Sequence, residues 1–286
     1  MHQVTREVRT VVFDTDLQLE AYQFEGIMQK FPNHFHDYYV IGFIEKGKRH
    51  LVCNNEEYIL NTGDMIIFNP HDPHACEQVD GSTLDYRCIN IQPEIMRHYV
   101  QEITGQGYLP RFTSPVLYQS EHVASLHELH QMILEEQADF HKEELLLFLL
   151  EQLLREYADA KPPVSAQDVT IEIRRICEYI ESHYMASITL NHLVELTGLS
   201  KYHLLRLFTR QKGISPYRYL ETLRINQAKR LLEQGQLPIE VAAQTGFSDQ
   251  SHFTNFFKKL IGLTPKQYRR IFNHEVDSIR TADKQS

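Results

Sequence analysis

Two segments in the C-terminal half of the chain carry side chains of the types that bind nucleic acids. The first offers Lys201, Tyr202, His203, Arg206 and Arg210, and the second offers Asp249, Gln250, Ser251, His252, Thr254, Asn255 and Lys258. Arginine can hydrogen bond to guanine in pairs and Gln or Asn to adenine, whereas lysine more often holds phosphates. For any single residue the competing interpretation is a solvated helix face. DNA binding therefore requires elements that present both sets together.

An internal repeat supplies such elements. The four residues 197–200 (TGLS) return 48 residues later as residues 245–248 (TGFS), and each copy lies between a short apolar segment and a helix with aromatic anchors. Each copy also ends alike, in GISP at 213–216 and GLTP at 262–265. A helix, a turn containing Gly, a Ser N-cap and a second helix make a helix-turn-helix, whose second helix enters the major groove. We expect a core at Leu204, Leu207, Phe208, Phe253 and Phe257.

The segment between the two copies reads as one helix. Pro216 stands at its first turn and Gly235 just past its end, which predicts a helix over residues 216–233. Its length of about 27 Å suits two recognition helices in successive major grooves, roughly 34 Å apart. Arg224 falls within the apolar arc of this helix. We therefore expect Arg224 to pair with a carboxylate inside the domain.

The charge distribution agrees with this placement. The 286 residues carry a net charge of −9, but residues 1–164 contain 12 basic and 26 acidic residues, whereas residues 165–286 contain 17 and 12. A net −14 is thus followed by a net +5, and only the second number bears on DNA. The composition, 42% hydrophobic and 23% charged, excludes a disordered or collagen-like chain.

The C-terminal half closely resembles the AraC/XylS family of bacterial transcription regulators. The resemblance covers about residues 173–271 and is most specific in RLF at 206–208, GISP at 213–216, residues 223–232, GFSDQSHF at 246–253, FKK at 257–259 and GLTP at 262–265. Two departures are Val194, where the family usually has Ala, and Asn255, where Arg is frequent. The resemblance implies sequence-specific binding to double-stranded promoter DNA, activation of transcription, RNA polymerase as a partner and a homodimer.

The acidic half has the pattern of a β-rich sensor. Short apolar runs separated by turn residues over residues 38–91 predict a small antiparallel sandwich or barrel. Together with HFH at 34–36 and PHDPH at 70–74, they resemble the two motifs of a cupin barrel, the fold that precedes the DNA-binding half in many AraC-type regulators. The resemblance implies a small-molecule effector, with candidate ligand-binding residues His34, His36, Tyr38, His74 and Arg87.

Metal binding is one of three interpretations of the histidines. Cupin enzymes add a Glu, but the corresponding position, Val40 or Ile41, is apolar here. His34, His36 and His74 could therefore hold a metal alone, line a polar ligand pocket, or be structural. We predict the pocket, with no metal and no other cofactor.

Helical periodicity replaces the strands from residue 121 onward. Val123, Leu126, His130, Ile133 and Leu134 recur at helical spacing, and residues 145–154 are apolar on nearly all sides. The second helix either covers the barrel or forms a dimer interface, for which the candidate seam is Leu146, Leu149, Leu150, Leu153 and Tyr157. The prolines at 162 and 163 then indicate a linker.

The sequence thus predicts a two-domain protein. A cupin-like effector-binding and dimerisation domain with following helices covers residues 1–160, a linker 161–167, an all-α double helix-turn-helix domain 168–273, and a tail 274–286. It predicts no enzymatic activity and no membrane segment. It also predicts a cytoplasmic location, because the four cysteines show no paired spacing. The alternatives are a metal-dependent cupin enzyme with a helical appendage, and an interaction module whose helices bind protein.

Overall fold

The computed structural model describes residues 7–136, 141–159, 170–247 and 249–273, with the backbone alone at residues 201–203. Within that part the chain forms two compact units. Residues 31–34 pair with a strand of the first unit and are described with it. The first unit then contains two β-sheets and three helices, and the second contains seven helices. The predicted fold class, a β-rich domain followed by an all-α domain, is confirmed. The predicted linker and tail lie outside the described residues.

Ten strands build the two sheets of the first unit. In chain order they are β1 (Val8–Asp14), β2 (Leu19–Ile27), β3 (Phe31–His34), β4 (Tyr39–Lys46), β5 (Arg49–Cys53), β6 (Glu56–Leu60), β7 (Met65–Phe68), β8 (His74–Gln78), β9 (Leu84–Ile91) and β10 (Val116–Leu117). One sheet has the order β1-β2-β9-β4-β7-β10 and the other β3-β8-β5-β6. The strand region therefore begins at Val8, well before the predicted start at residue 38.

The turn between β1 and β2 explains why the sequence did not reveal these two strands. It contains no Gly, Pro or Asn; instead, the Asp14 carboxylate accepts hydrogen bonds from the amides of Asp16 and Leu17 at 3.0 and 2.9 Å. Asn54 and Asn55 form the hairpin turn between β5 and β6. Both residues have positive φ, 52° and 68°, as a two-residue turn between twisted strands requires.

Three helices cover the outer face of the larger sheet: α1 (Pro93–Thr104), α2 (Val123–Leu134) and α3 (His141–Tyr157). Leu146, Leu149, Leu150 and Leu153 of α3 are 0–1% exposed and share one core with the strands below them. Of the two interpretations of these leucines, barrel cover is thus the correct one, because they are already buried within the subunit. Tyr157 is half-buried against the same core.

Seven helices form the second unit: α4 (Ile171–His183), α5 (Leu190–Thr197), α6 (Lys201–Lys212), α7 (Pro216–Glu233), α8 (Pro238–Gln244), α9 (Gln250–Ile261) and α10 (Pro265–Phe272). The helix predicted over residues 216–233 is α7, with Ser215 as its N-cap and Pro216 in its first turn. The anchors Leu204, Phe208, Phe253 and Phe257 are fully buried, as predicted, whereas Leu207 is half-buried. Two helix-turn-helix units, α5–α6 and α8–α9, flank α7.

Candidate ligand-binding and DNA-binding sites

Three histidines from the ends of neighbouring strands meet in the first unit. His34 ends β3, His36 lies between β3 and β4, and His74 begins β8. One ring nitrogen of each lies within 4.8 Å of those of the other two. His34 and His74 are buried and His36 is half-buried. The structure thus brings together three residues that were predicted from motifs forty positions apart.

Backbone carbonyls select the tautomer of the two buried histidines. His34 Nδ1 lies 2.7 Å from the carbonyl of Pro32, and His74 Nδ1 lies 2.9 Å from that of Asp72. Because a carbonyl oxygen only accepts, each Nδ1 carries a proton, and in the neutral ring Nε2 is then the acceptor nitrogen. Burial lowers the pKa of His74 to about 4, against the opposing effect of the Asp72 carbonyl. At neutral pH His74 is therefore an uncharged hydrogen-bond acceptor at Nε2.

Aromatic rings hold the cluster between the two sheets. The His74 ring stacks on Phe68 of the larger sheet with centroids 4.0 Å apart, and the His36 ring stacks on Tyr38 at 4.7 Å. The centroids of His36 and His74 are 5.1 Å apart. Because Phe68 belongs to one sheet and His74 to the other, these contacts lie inside the barrel. Four of the five predicted ligand residues, His34, His36, Tyr38 and His74, therefore share one site.

Arg87 does not join them. It is paired with Phe43 across β4 and β9, on the face of the sheet that the helices cover. Its guanidinium donates to Glu45 at 2.9 Å and to Gln131 of α2 at 3.2 Å. The arginine that could have neutralised a ligand carboxylate is thus occupied with an ion pair under α2.

The register of β9 instead turns other polar side chains toward the interior. Asn90 lies opposite both Glu20 and Val40, and Val40 lies opposite Phe68. The Asn90 amide donates to the buried Glu20 carboxylate at 3.2 Å. Tyr86 lies on the same face as Asn90. The sequence could not reveal these residues, because both faces of β9 are covered and its polar residues, Asp85, Arg87 and Asn90, do not keep to one face.

Two groups among the described residues could hold a metal ion. The first is the histidine cluster, in which Val40 faces inward where cupin enzymes have Glu, so that three nitrogens would be the ligands. The second consists of Glu121, His122 and Glu156 at the ends of α2 and α3, where Glu156 already accepts from Arg155 at 3.2 Å. The first group offers three nitrogens and no carboxylate, and the second offers one buried nitrogen and two exposed carboxylates.

The first recognition helix, α6, exposes Arg206 and Arg210 one turn apart. The backbone of Lys201, Tyr202 and His203 forms its first turn, while their side chains lie outside the described part. The Ser200 carbonyl accepts from the Leu204 amide at 2.9 Å, as an N-cap residue does. The exposed face of α6 thus includes the N-terminal part of the helix, which is the part that enters the major groove in helix-turn-helix proteins.

The second recognition helix, α9, exposes most of its predicted residues. Gln250, Ser251, His252, Asn255 and Lys258 are exposed, and Thr254 is half-buried. The predicted Ser N-cap is wrong for this copy. Asp249 is the N-cap, and its carboxylate accepts from the His252 amide at 2.7 Å. Because a carboxylate at this position satisfies a free amide and the helix dipole, Asp249 serves the helix itself.

The predicted partner of Arg224 is also wrong. Its guanidinium donates to two backbone carbonyls, those of Tyr184 at 2.8 Å and Ala186 at 2.9 Å, rather than to a carboxylate. These carbonyls follow α4, where the last turn of a helix lacks amide partners. The buried carboxylate of α7, Glu221, pairs with Arg218 at 2.8 Å instead.

Comparison with known proteins agrees with both domains. Residues 17–154 match the AraC-like ligand binding domain, and residues 193–271 match a helix-turn-helix domain. The chain is 60% identical over 270 residues to YbfI of Bacillus subtilis, an uncharacterized HTH-type transcriptional regulator, covering 94% of this chain and 98% of the relative. The chain belongs to the AraC family of transcriptional regulators. Another member, the transcriptional activator RhaS of Klebsiella pneumoniae, is 27% identical over 84% of this chain and 88% of its own length.

Solved structures of ToxT from Vibrio cholerae share the fold. One, a ligand-free form, has a TM-score of 0.53 at 15% identity and covers 90% of this chain and 97% of its own. Another contains ToxT with a bound unsaturated fatty acid, at a TM-score of 0.51 and 15% identity, covering 96% and 99% of the two chains. Identities this low support the fold alone.

As an AraC-family member, the chain is a DNA-binding transcriptional regulator with a ligand-binding domain, and its relatives are regulators rather than enzymes. Within the part of the chain that the structure describes, every helix is too short or too polar to span a bilayer.

Proposed function

We propose that this protein is a cytoplasmic transcription activator that acts as a homodimer, contacts RNA polymerase, and responds to a small polar molecule bound between the sheets of its first domain. The observation that carries the ligand proposal is the convergence of His34, His36, Tyr38 and His74 inside the barrel. A ligand that favours one of two arrangements of the protein changes DNA engagement only if it binds that arrangement more tightly.

The chemistry of the cluster favours an uncharged, hydroxyl-bearing ligand. The site is lined by imidazole rings and a phenol, which are groups that exchange hydrogen bonds with hydroxyl groups. The one arginine predicted for this site faces the helices instead, so the four remaining residues supply no permanent positive charge for a carboxylate. Enzymatic turnover is not part of the proposal, because the inward Val40 leaves the histidines without the carboxylate of cupin enzymes.

Thermal unfolding of the full-length chain tests the ligand site with three kinds of probe. These are neutral monosaccharides and polyols, an unsaturated fatty acid, and zinc chloride. A ligand of the folded state raises the melting temperature with concentration. We expect a sugar or polyol to raise the melting temperature. The His74→Ala variant should lose this shift. The control variant His50→Ala, which changes a histidine on the outer side of β5, should retain it. A shift with fatty acid or zinc alone, or no shift with any probe, would overturn the proposed ligand class.

Selection of duplexes from a random pool by the full-length chain tests the DNA-binding residues. We propose that α6 and α9 enter successive major grooves, with Arg206, Arg210, Gln250, His252 and Asn255 at base edges or phosphates. The logarithm of the affinity should fall steeply with the logarithm of salt concentration, and removal of a phosphate contact should reduce that slope by about 1. Lys258→Ala should do this without changing the selected sequence. No preference over random DNA would overturn the proposal.

Transcription from a selected site tests the two remaining parts of the proposal, activation through RNA polymerase and the homodimer. Purified RNA polymerase, the full-length chain and a template carrying the site should give more transcript than polymerase alone. Analytical ultracentrifugation should show two chains per complex. Reduced transcript would indicate a repressor, and a monomer bound to the whole site would exclude the dimer.

A further inference from the structure

One place in the second domain gathers three separate segments: the end of α4, the middle of α7, and the turn that precedes α9. The carbonyls of Tyr184, Met185 and Ala186 follow the last turn of α4. Such carbonyls lack intrahelical donors and carry partial negative charge. Arg224 of α7 donates to two of them, at 2.8 Å from Nε to Tyr184 and 2.9 Å to Ala186. Helix α7 is thus tied to the first half of the domain.

The turn of the second helix-turn-helix lies against the same carbonyls. A Cβ atom at Gly246 would stand 2.7 Å from the Met185 oxygen, 2.9 Å from the Tyr184 oxygen and 3.0 Å from Arg224 Nη2. Only a residue without a Cβ allows the turn to approach this closely. The corresponding glycine of the first copy, Gly198, would have no atom within 4 Å of an added Cβ. The two copies of the repeat therefore differ in their surroundings.

Aromatic contacts carry the position of this turn into α9. The Arg224 guanidinium lies 6.0 Å from the ring of Phe247, the residue after Gly246. The Phe247 ring lies 5.1 Å from that of Phe253 and 6.3 Å from that of Phe256, both on α9. Because Phe253 and Phe256 are buried, movement of Phe247 would move the helix that bears the exposed DNA-facing residues.

We propose that Arg224, Gly246 and the carbonyls of Tyr184 and Ala186 form a junction that fixes the second recognition helix relative to the first. Arg224 is a positioning residue for DNA binding: it touches no DNA, but it aligns α9 so that the second half of a site contributes to affinity together with the first. This inference rests on the proposed function, in which both recognition helices engage one duplex.

The test compares three duplexes bound by the full-length chain. The first is a site selected from random DNA, and in each of the other two one half of the stretch occupied by a single chain is scrambled. Asn255 lies on α9, so the half whose scrambling no longer weakens binding by the Asn255→Ala variant is assigned to α9. The variants are Arg224→Met and Arg224→Lys, and the control is Arg230→Met, an exposed arginine on the same helix. Ratios of affinity cancel any inactive fraction, so reduced folding alone leaves them unchanged.

For the unchanged protein we expect scrambling of either half to weaken binding at least about tenfold, since a mismatched base pair costs about 1–3 kcal/mol. In Arg224→Met the penalty should remain for the α6 half and fall below about threefold for the α9 half. Arg224→Lys should lie between, because lysine can still donate to a carbonyl, and Arg230→Met should match the unchanged protein. A full α9 penalty in Arg224→Met, or equal loss of both penalties, would overturn the junction. If the unchanged protein shows no penalty for either half, the proposed function itself fails.

Discussion

The two turn glycines allow a matched test of the packing around the second recognition helix. Gly198 and Gly246 occupy equivalent positions in the repeat and have nearly the same backbone, with φ of 72° and 78°. Alanine at either position therefore meets the same left-handed strain. Only at Gly246 does its Cβ also meet backbone oxygen atoms, at 2.7 and 2.9 Å. The difference between the two variants isolates this contact.

The expected magnitudes follow from these two effects. Left-handed backbone costs alanine roughly 1–2 kcal/mol, and the smaller entropy of the unfolded chain returns about 0.4–1 kcal/mol. Gly198→Ala should therefore destabilise the second domain by about 1 kcal/mol. At Gly246 the methyl group adds overpacking of about 1–3 kcal/mol, so Gly246→Ala should cost about 2–4 kcal/mol.

Native-state hydrogen exchange of the full-length chain, followed by mass spectrometry over a urea series, measures both variants. Peptides from α7 report the opening free energy of the second domain, and this helix is unchanged in both proteins. Peptides from α3 serve as the control, since neither substitution touches the first domain. Equal destabilisation by the two substitutions would refute the close approach of the turn to the end of α4.

Three further predictions concern buried or capping groups. Lys142 Nζ lies 2.6 Å from the buried Asp14 carboxylate, so Lys142→Met should destabilise the first domain by about 3–5 kcal/mol in urea-dependent exchange of α3 peptides, and adding Asp14→Asn should recover part of this loss. Burial lowers the pKa of His130 from 6.5 to about 4, so between these pH values the unfolded chain binds a proton that the folded chain does not. The contribution of His130 to stability should therefore fall by up to about 3 kcal/mol as the pH drops from 6.5 to 4. A His130→Gln variant that kept the whole pH dependence would contradict this. Asp249→Ala should lower the opening free energy of the α9 amides by about 1 kcal/mol, so that they exchange faster, whereas Asp249→Ser should restore their protection.

The second domain could be predicted from the sequence almost element by element. Its helices are short, amphipathic and separated by Gly and Pro, and the repeat states the pattern twice. What the sequence could not supply is which carbonyls Arg224 would meet. Tyr184 and Ala186 precede it by 40 and 38 residues, and a backbone carbonyl has no signature in side-chain type. A buried arginine therefore suggested a carboxylate, which is the partner that sequence alone can display.

The first domain shows a different limit. Two sheets and a helical cover lie against both faces of β9, and its polar residues occur on both faces without a consistent alternation. Without alternation, a shift of one residue exchanges the inward and outward sets. Arg87 was for this reason assigned to the pocket, while Asn90, three residues later, occupies the inward face. The histidines were found because motif spacing, rather than strand register, locates them.

The crowding at Gly246 also bears on the modest charge of the DNA-binding half. A net +5 over residues 165–286 provides little general attraction to a duplex. Affinity must then come from contacts made together by two recognition helices, and such contacts add only when the helices are held in the spacing of the grooves. A rigid α7 fixes the distance between the two helix-turn-helix motifs but does not by itself fix the tilt of α9. The close approach at Gly246 and the Arg224 bonds remove that freedom, so that the weakly basic domain can use both helices on one site.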